Sequence, residues 1–483
     1  MSTEIKPKSL RLNFFLNTSR TVLNFLIPLA TFPYVSRILG PEGLGRVEFA
    51  NSIVSYFVLF TALGIPTYGM REIARVRDDE ELRSRTVMEL ASVLFLTSAA
   101  GYAVYFLLIN FVPQFSSQKI LFFIVAPTIF LSDFSFEWFY QGIENQTYIT
   151  VRYIIIKIIQ VTCIFLLIKN HEHFYRYAAI SVGMNSLSTV FNILHLRKFV
   201  RFVPFKELHP LRHLKPVLII FASIVAVNIY MHLDVTMVGF ISGEEYVGLY
   251  TAANRVVRIV ISLVTALSAV VVPRLENCLK NGDEENYKKY LNLSLHYILV
   301  LAVPCCLGIA ALAPDIIALF AGKKYTDSVL TMRILCAIIF IVPLAHFTGM
   351  QVLYPHRMEW KYTVAVSAAA ALNALCNSFL IPRFAQNGAA FATVIAEGTG
   401  LVLQMIFAGN LIKDSDLFSW NSAKYLASGL VMFAVLSFVP YVAGSTVIHL
   451  LLCMAVAVVV YGALLLLMRE KLVMSLVRRG KNM

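Results

Sequence analysis

Apolar runs of about 20 residues recur along the whole 483-residue chain, separated by short joints that hold most of the charges, prolines and glycines. That is the length an α-helix needs to cross roughly 30 Å of hydrocarbon. The pattern predicts an all-α polytopic membrane protein with about fourteen transmembrane helices. They fall near residues 12–38, 46–70, 88–112, 118–140, 149–168, 174–196, 217–241, 246–272, 291–313, 328–353, 362–381, 388–412, 425–442 and 446–468.

One joint is repeated. RILGPEGLGRVEFANS at 37–52 links the first two spans, and FISGEEYVGLYTAANR at 240–255 links the seventh and eighth. Gly40 matches Gly243, Glu42 matches Glu245, Gly45 matches Gly248, and Ala50-Asn51 matches Ala253-Asn254. Six spans separate the copies, so both face the same side of the membrane. This predicts two pseudo-symmetric six-helix bundles about an axis along the membrane normal, with spans 13 and 14 as an appended pair. The longest soluble joint, 197–215, is basic and contains Pro204 and Pro210. The expected organisation is an N-terminal bundle (1–196), a cytoplasmic linker (197–215), a second bundle (216–412) and a helix pair with a basic cytoplasmic tail (413–483). Within the motif, Gly40 is expected to end its helix in a left-handed conformation that Pro41 cannot continue. Gly43 and Gly45 allow a tight reversal, serving either a plain outer turn or a gate over an outer mouth.

Composition agrees with a bilayer. Hydrophobic residues make up 58% of the chain, mean hydropathy is +0.72 and charged residues are 14%, against about 25% in soluble domains. With the N-terminus inside, about 28 Lys and Arg fall in cytoplasmic segments and about 8 outside, which places both termini in the cytoplasm. This bias accounts for most of the +13 net charge, so nucleic acid is not implied; Arg478, Arg479 and Lys481 suit anionic headgroups instead. The first apolar span is too long for a cleaved signal peptide and reads as a retained helix. Six of the seven cysteines lie inside spans (Cys163, Cys305, Cys306, Cys336, Cys376 and Cys453), without metal-ligand spacing, and read as small apolar fillers.

The informative residues are the charges inside the spans: Arg20, Lys157, Arg255, Arg258 and Arg333, with Glu48, Asp133, Glu137, Asp234 and Glu397. Each costs on the order of 3 kcal/mol against lipid at mid-helix, so they must pair, face a wet cavity or approach the interface. Asn13, Asn17, Arg20 and Asn24 share one face of span 1, and Arg255, Arg258, Ser262 and Thr265 share one face of span 8. Guanidinium suits bidentate contact with phosphate or carboxylate oxygens, and amides and hydroxyls suit sugars. The same stripes serve as polar glue between helices in other bundles. Lys157 and Arg333 stand alone in their spans.

Glu397 lies deep in span 12 and Asp234 follows His232, positions where a carboxylate can bind H⁺ or Na⁺ or pair with a lumen arginine. Asp133 and Glu137, beside Trp138, are expected as interfacial anchors. His296 and His346 are expected as satisfied bundle residues. The acidic pair in DSD at 414–416 sits in a short joint with no nucleotide-binding domain beside it. Walker A, GxSxG and HExxH motifs are absent, and no outer joint is long enough for a catalytic domain. An enzyme, an ATP-driven pump and a resident cofactor are therefore not expected.

PYVSRILGPEGLG at 33–45, FANSIVSY at 49–56, GIPTYGMREIAR at 64–75 and GAAFATVIAE at 388–397 resemble the Wzx-type O-antigen and capsular polysaccharide flippases. These form the polysaccharide-biosynthesis branch of the multidrug/oligosaccharidyl-lipid/polysaccharide exporter superfamily. The resemblance covers spans 1 to 12 and is strongest over the first 75 residues. It implies two bundles around a V-shaped central cavity in the bacterial inner membrane. It also implies alternating-access transfer of undecaprenyl-diphosphate-linked oligosaccharide repeat units to the periplasmic leaflet, for O-antigen, capsule or exopolysaccharide. A polymerase and a chain-length regulator of the same pathway are the implied protein partners. The family's lumen is cation-lined, whereas basic and acidic residues inside these spans are equal in number. Substrate contacts are expected from Asn17, Arg20, Asn24, Lys157, Arg255 and Arg258, and ion coupling or gating from Asp234 and Glu397. The competing expectations are a multidrug/cation antiporter or lipid II flippase of the same superfamily, and an O-antigen polymerase.

Overall fold

The computed structural model describes residues 10–413, 415–439, 446–470 and 472–474, without the side chains of residues 10–15, 21, 25, 226, 269 and 418. The Asn13 side chain, Asp414 and the basic tail at 478–481 thus lie outside the described residues. Every regular element among those described is helical. Ten helices are long and apolar enough to cross a membrane, or eleven if 210–225 and 227–241, bent by 49° at their junction, count as one span. The chain is a multi-pass membrane protein.

Two of these helices are too long for one crossing. At 1.5 Å per residue, 47 residues (Leu16–Ala62) and 54 residues (Glu359–Ile412) extend about 70–80 Å, more than twice the hydrocarbon thickness. Both are broken near the middle. Gly40 has φ 71° and ψ 178°, a region essentially reserved for glycine and not the left-handed helical conformation expected. Ala385 has φ 47° and ψ −127°, a strained conformation for a residue with a side chain. After that break Gly388 lies so close to the Leu380 carbonyl that a Cβ would collide with it, which accounts for glycine at that position.

The chain divides into two compact units, Met1–Gly248 and Leu249–Met483. The first holds α1 (Leu10–Ala62), α2 (Ile65–Val76), α3 (Glu80–Phe111), α4 (Pro113–Ser116), α5 (Lys119–Val125), α6 (Pro127–Asp133), α7 (Glu137–Gly142), α8 (Gln146–Leu167), α9 (Phe174–Leu196) and α10 (Leu214–Ile241). Helix α1 packs on α3, α6, α8, α9 and α10. The single span expected at 118–140 is three short helices. Pro127, which lacks an N–H, opens α6, and Phe136 at φ 50° turns the chain into α7. Helix α2 buries Ile65, Gly69 and Ile73 along one face, with Gly69 against the Trp138 indole.

The 197–213 segment is fastened to this unit by Glu89, which is fully buried in α3. Its carboxylate accepts from the His209 N–H at 2.8 Å and pairs with Arg212 at 2.6 Å and Arg85 at 3.3 Å. It also meets His213 Nε2 at 2.8 Å, and His213 Nδ1 meets the Tyr68 hydroxyl at 2.8 Å. Arg83 donates to the Phe199 carbonyl, and Arg201 pairs with Glu80 at 2.6 Å.

In the second unit α11 (Glu244–Thr265, whose first turn belongs to the first unit) leads to α12 (Ser268–Lys280), α13 (Glu284–Phe320), α14 (Ser328–His346), α15 (Glu359–Ala408), α16 (Trp420–Ser437) and α17 (Thr446–Leu467). Beyond Pro343, α14 widens into a π turn over Phe347–Leu353. Helix α13 is the hub, packing against α12, α14, α16 and α17. Gly429 of α16 lies against Val303 and Leu307 of α13, where a Cβ would meet Val303 Cγ1 at 2.5 Å. Small residues at such crossings let membrane helices approach closely.

Candidate functional site

The two copies of the repeated motif touch within the first unit. A Cβ on Gly45 would collide with the Glu244 carbonyl, and a Cβ on Gly248 with the Pro41 carbonyl. Only glycine permits this main-chain approach. The Gln118 amide donates to the Glu244 carboxylate beside it. One turn further along α1, Phe49 is buried and its ring stacks edge-on with Phe240 at 5.2 Å. Phe115 and Phe122 complete this aromatic layer, and Gly239 leaves room for the Phe49 ring.

Beyond the aromatic layer along α1 lies a cavity of about 520 Å³. Its polar groups are Asn51 and Ser55 of α1, Thr67 of α2, Thr128 and Ser132 of α6, Ser181 and Asn185 of α9, and Asn228 and His232 of α10. Asn51 and Ser55 reach it because residues four apart share a helical face. No Asp, Glu, Lys or Arg lines it. Amides and hydroxyls both donate and accept, which matches sugar hydroxyls without imposing charge. The Tyr56 ring stands edge-on to His232 at 6.1 Å, and Thr236 meets Ser52 at 3.0 Å behind the wall.

Arg20 lies outside this cavity lining. Its Nη2 donates to Glu137 Oε2 at 2.7 Å, while Arg152 Nη2 donates to Glu137 Oε1 at 2.5 Å. Glu137 is therefore a counter-ion shared by Arg20 and Arg152. Asp133 is buried and accepts from Ser98 at 2.6 Å. Tyr153 joins the cluster, donating to Asn24 and lying 5.7 Å from both Arg20 and Lys157. Lys157 donates to Gln160 at 2.7 Å. Asn17 lies one turn before Arg20 on the same helix.

The remaining expected residues are separated from this cluster in sequence and element. Asp234 is buried on α10. Glu397 is half-buried on α15, with Tyr362 in its electrostatic reach. Arg255 and Arg258 are half-buried on α11, where Ser262 and Thr265 turn their hydroxyls back to the Ile259 and Ile261 carbonyls. His296 is a satisfied bundle residue, between Asp416 and the Tyr425 hydroxyl at 3.2 Å each. Arg333 donates to the Ala310 carbonyl at 3.2 Å. No cluster of three potential metal ligands occurs among the described residues.

Sequence reasoning missed Asn51, Ser55 and Asn228 as cavity residues and Arg152 and Glu89 as buried charges. The signal for the first two was present, because Asn51 belongs to the repeated motif and Ser55 follows it by one turn.

A family model described as "Polysaccharide biosynthesis protein" matches residues 10–278, and one described as "Lipid II flippase MurJ" matches residues 244–462. A "Putative O-antigen transporter" of Escherichia coli strain K12 is 24% identical over 407 residues, covering 80% of this chain and 94% of its own length. A "Probable lipid II flippase MurJ" of Rhizobium tropici is 26% identical over 193 residues, covering 38% of this chain and 35% of its own length. Among solved structures, lipid II flippase MurJ in an inward closed conformation superposes with TM-score 0.75 at 15% identity, over 96% of this chain and 99% of that one. An inward-facing multidrug resistance MATE transporter of the MOP superfamily gives 0.63 at 14% identity, over 83% and 98%. These two show the fold. The first family match spans more than half of the chain, which therefore belongs to the polysaccharide biosynthesis protein family.

Proposed function

We infer that this chain is a transporter that flips lipid-linked oligosaccharides across the membrane, a Wzx-type polysaccharide flippase of the MOP superfamily. The observation that carries the reading is the uncharged polar cavity of about 520 Å³ beside the meeting point of the two motif copies. Stripping a sugar hydroxyl of its hydrogen bonds costs about 2–7 kcal/mol, so an oligosaccharide crosses lipid at a negligible rate unaided. Amides and hydroxyls along α1, α6, α9 and α10 replace the lost water. A drug or cation antiporter would call for acids on that lining, and it has none.

Our proposal places fourteen crossings, two six-helix bundles and a terminal pair around a V-shaped central cavity, with both termini on the cytoplasmic side of a bacterial inner membrane. The breaks at Gly40 and Ala385 and the helix α16 support that number. The proposed substrate is an undecaprenyl-diphosphate-linked repeat unit, moved by alternating access, with the motif contact as outer gate. Arg258 takes the register of Ser55 in the second copy and Asn254 that of Asn51, which supports Arg258 as a headgroup contact. Arg20 and Arg255, with Asn17, Asn24 and Lys157, are proposed to hold the diphosphate or acidic sugars, and Asp234 and Glu397 to couple movement to H⁺ or Na⁺. A polymerase and a chain-length regulator are the proposed partners.

The test is a deletion strain of the source bacterium, assayed for surface polysaccharide and for the leaflet location of lipid-linked units. Loss of surface glycan with complete units held on the cytoplasmic face supports the reading. Normal glycan at the wild-type level, in a strain with no second flippase, overturns it.

A further inference from the structure

A second cavity, of about 530 Å³, opens between α8 and α9 and shares no residue with the polar cavity. Its walls are Val151, Ile155, Ile156 and Phe191. Val151 and Ile155 continue into Ile158 and Leu166, an exposed aliphatic stripe at helical spacing along α8. On a membrane helix an exposed aliphatic stripe of this kind is a surface that acyl chains cover, since lipid tails are as apolar as these side chains. The cavity therefore opens toward lipid. It lies where α8 begins and α9 ends.

Its inner end is polar. The cavity is lined by Arg152, Thr147 and His195, and each carries a buried atom without a hydrogen-bond partner: Arg152 Nε, Thr147 Oγ1 and His195 Nδ1. Arg152 is 6% exposed. Buried donors are usually paired in folded proteins, so the unpartnered Arg152 Nε and Thr147 Oγ1 leave room for an acceptor supplied by a ligand. Charge points to its sign. Arg20 and Arg152 divide the two oxygens of Glu137 between them, leaving the trio one positive charge in excess.

We propose that this cavity binds an anionic phospholipid of the surrounding bilayer. The phosphodiester accepts from Arg152 and Thr147, and an acyl chain lies along Val151, Ile155 and Phe191. The excess positive charge of Arg20, Arg152 and Glu137 matches the negative charge of a phosphodiester, and the aliphatic walls match the acyl chains of a resident phospholipid. The site requires no transport activity and stands apart from the flippase reading.

The test is native mass spectrometry of the purified full-length protein, titrated with phosphatidylglycerol, with phosphatidylcholine of the same chains, and with undecaprenyl diphosphate. The wild-type protein should retain one phosphatidylglycerol with at least about tenfold preference over phosphatidylcholine. Arg152→Gln should abolish the preference. Because Arg152 also holds Glu137, Thr147→Val and Val151→Trp serve as variants that leave the ion pair intact, and each should cut it at least about fivefold. Ile159→Trp, exposed on α8 outside the cavity lining, should leave it unchanged. Equal retention of the two phospholipids, a preference unaffected by both Thr147→Val and Val151→Trp, or capture of undecaprenyl diphosphate alone would overturn the proposal.

Discussion

Replacing Gly248 by alanine puts a methyl group where the Pro41 carbonyl stands. The obstructing atoms are main chain, so no side-chain rotation relieves the overlap and the two motif copies must separate. Inserting a methyl into a close-packed contact costs about 1–3 kcal/mol. If the copies form a gate, that energy acts only on the state in which they touch, and its population falls about 5- to 150-fold. Gly45→Ala should act alike through the Glu244 carbonyl. Both variants open one contact, so the double variant should cost less than the sum of the two. Gly183 of α9 has no atom within 4 Å of a Cβ position, which makes Gly183→Ala the control. The readout is a cysteine pair, Gln118→Cys with Glu244→Cys, in a background without the seven native cysteines. A bifunctional thiosulfonate links the pair in membrane vesicles when the copies meet. Cross-linking should fall at least about fivefold in Gly248→Ala and stay unchanged in Gly183→Ala. Undiminished cross-linking in a folded Gly248→Ala protein would refute the gate.

Three other outcomes follow from the buried charges and the helix breaks. Glu137→Gln leaves two guanidinium groups without a counter-ion and should destabilise the protein by about 3 kcal/mol, whereas Arg20→Gln, which leaves Glu137 paired with Arg152, should cost about 1 kcal/mol. Thermal unfolding in detergent tests the order, and equal losses would contradict the shared-carboxylate account. Glu89→Gln strips Arg212 and His213 of their carboxylate. Trypsin should then cut at Arg197–Arg212 at least about tenfold faster, and an unchanged rate would show that Glu89 does not hold the segment. Ala385→Gly relieves a positive φ and should raise stability by about 1 kcal/mol, with a lowered melting temperature as the opposing result.

The repeated motif and the apolar spans were legible because hydropathy period and glycine spacing are local properties of the chain. Gly40 was read as a break from its neighbour Pro41, though its ψ of 178° places it outside the helical left-handed region expected. Ala385 carried no such signal, since alanine favours helix and only the following reversal forces its conformation. The pairing of Glu137 was hidden because its partners lie 117 and 15 residues away in sequence. Glu89 gave no signal in the sequence, because the groups that surround it, Arg212, His213 and the His209 N–H, lie at least 120 residues away. Asn51 was quoted as part of a motif, but that its neighbour Ser55 shares its face became meaningful only once α6, α9 and α10 closed around both. Arginine stripes announce themselves by charge, whereas a cavity wall of asparagine, serine and threonine resembles the ordinary polar glue of a helix bundle.

The most direct measurement reconstitutes the purified protein in liposomes with a fluorescent undecaprenyl-diphosphate oligosaccharide and follows the fraction protected from an impermeant quencher. The account predicts protein-dependent exchange of the lipid-linked sugar between leaflets. Exchange no faster than in protein-free liposomes, from a folded and correctly inserted protein supplied with H⁺ and Na⁺ gradients, would contradict it.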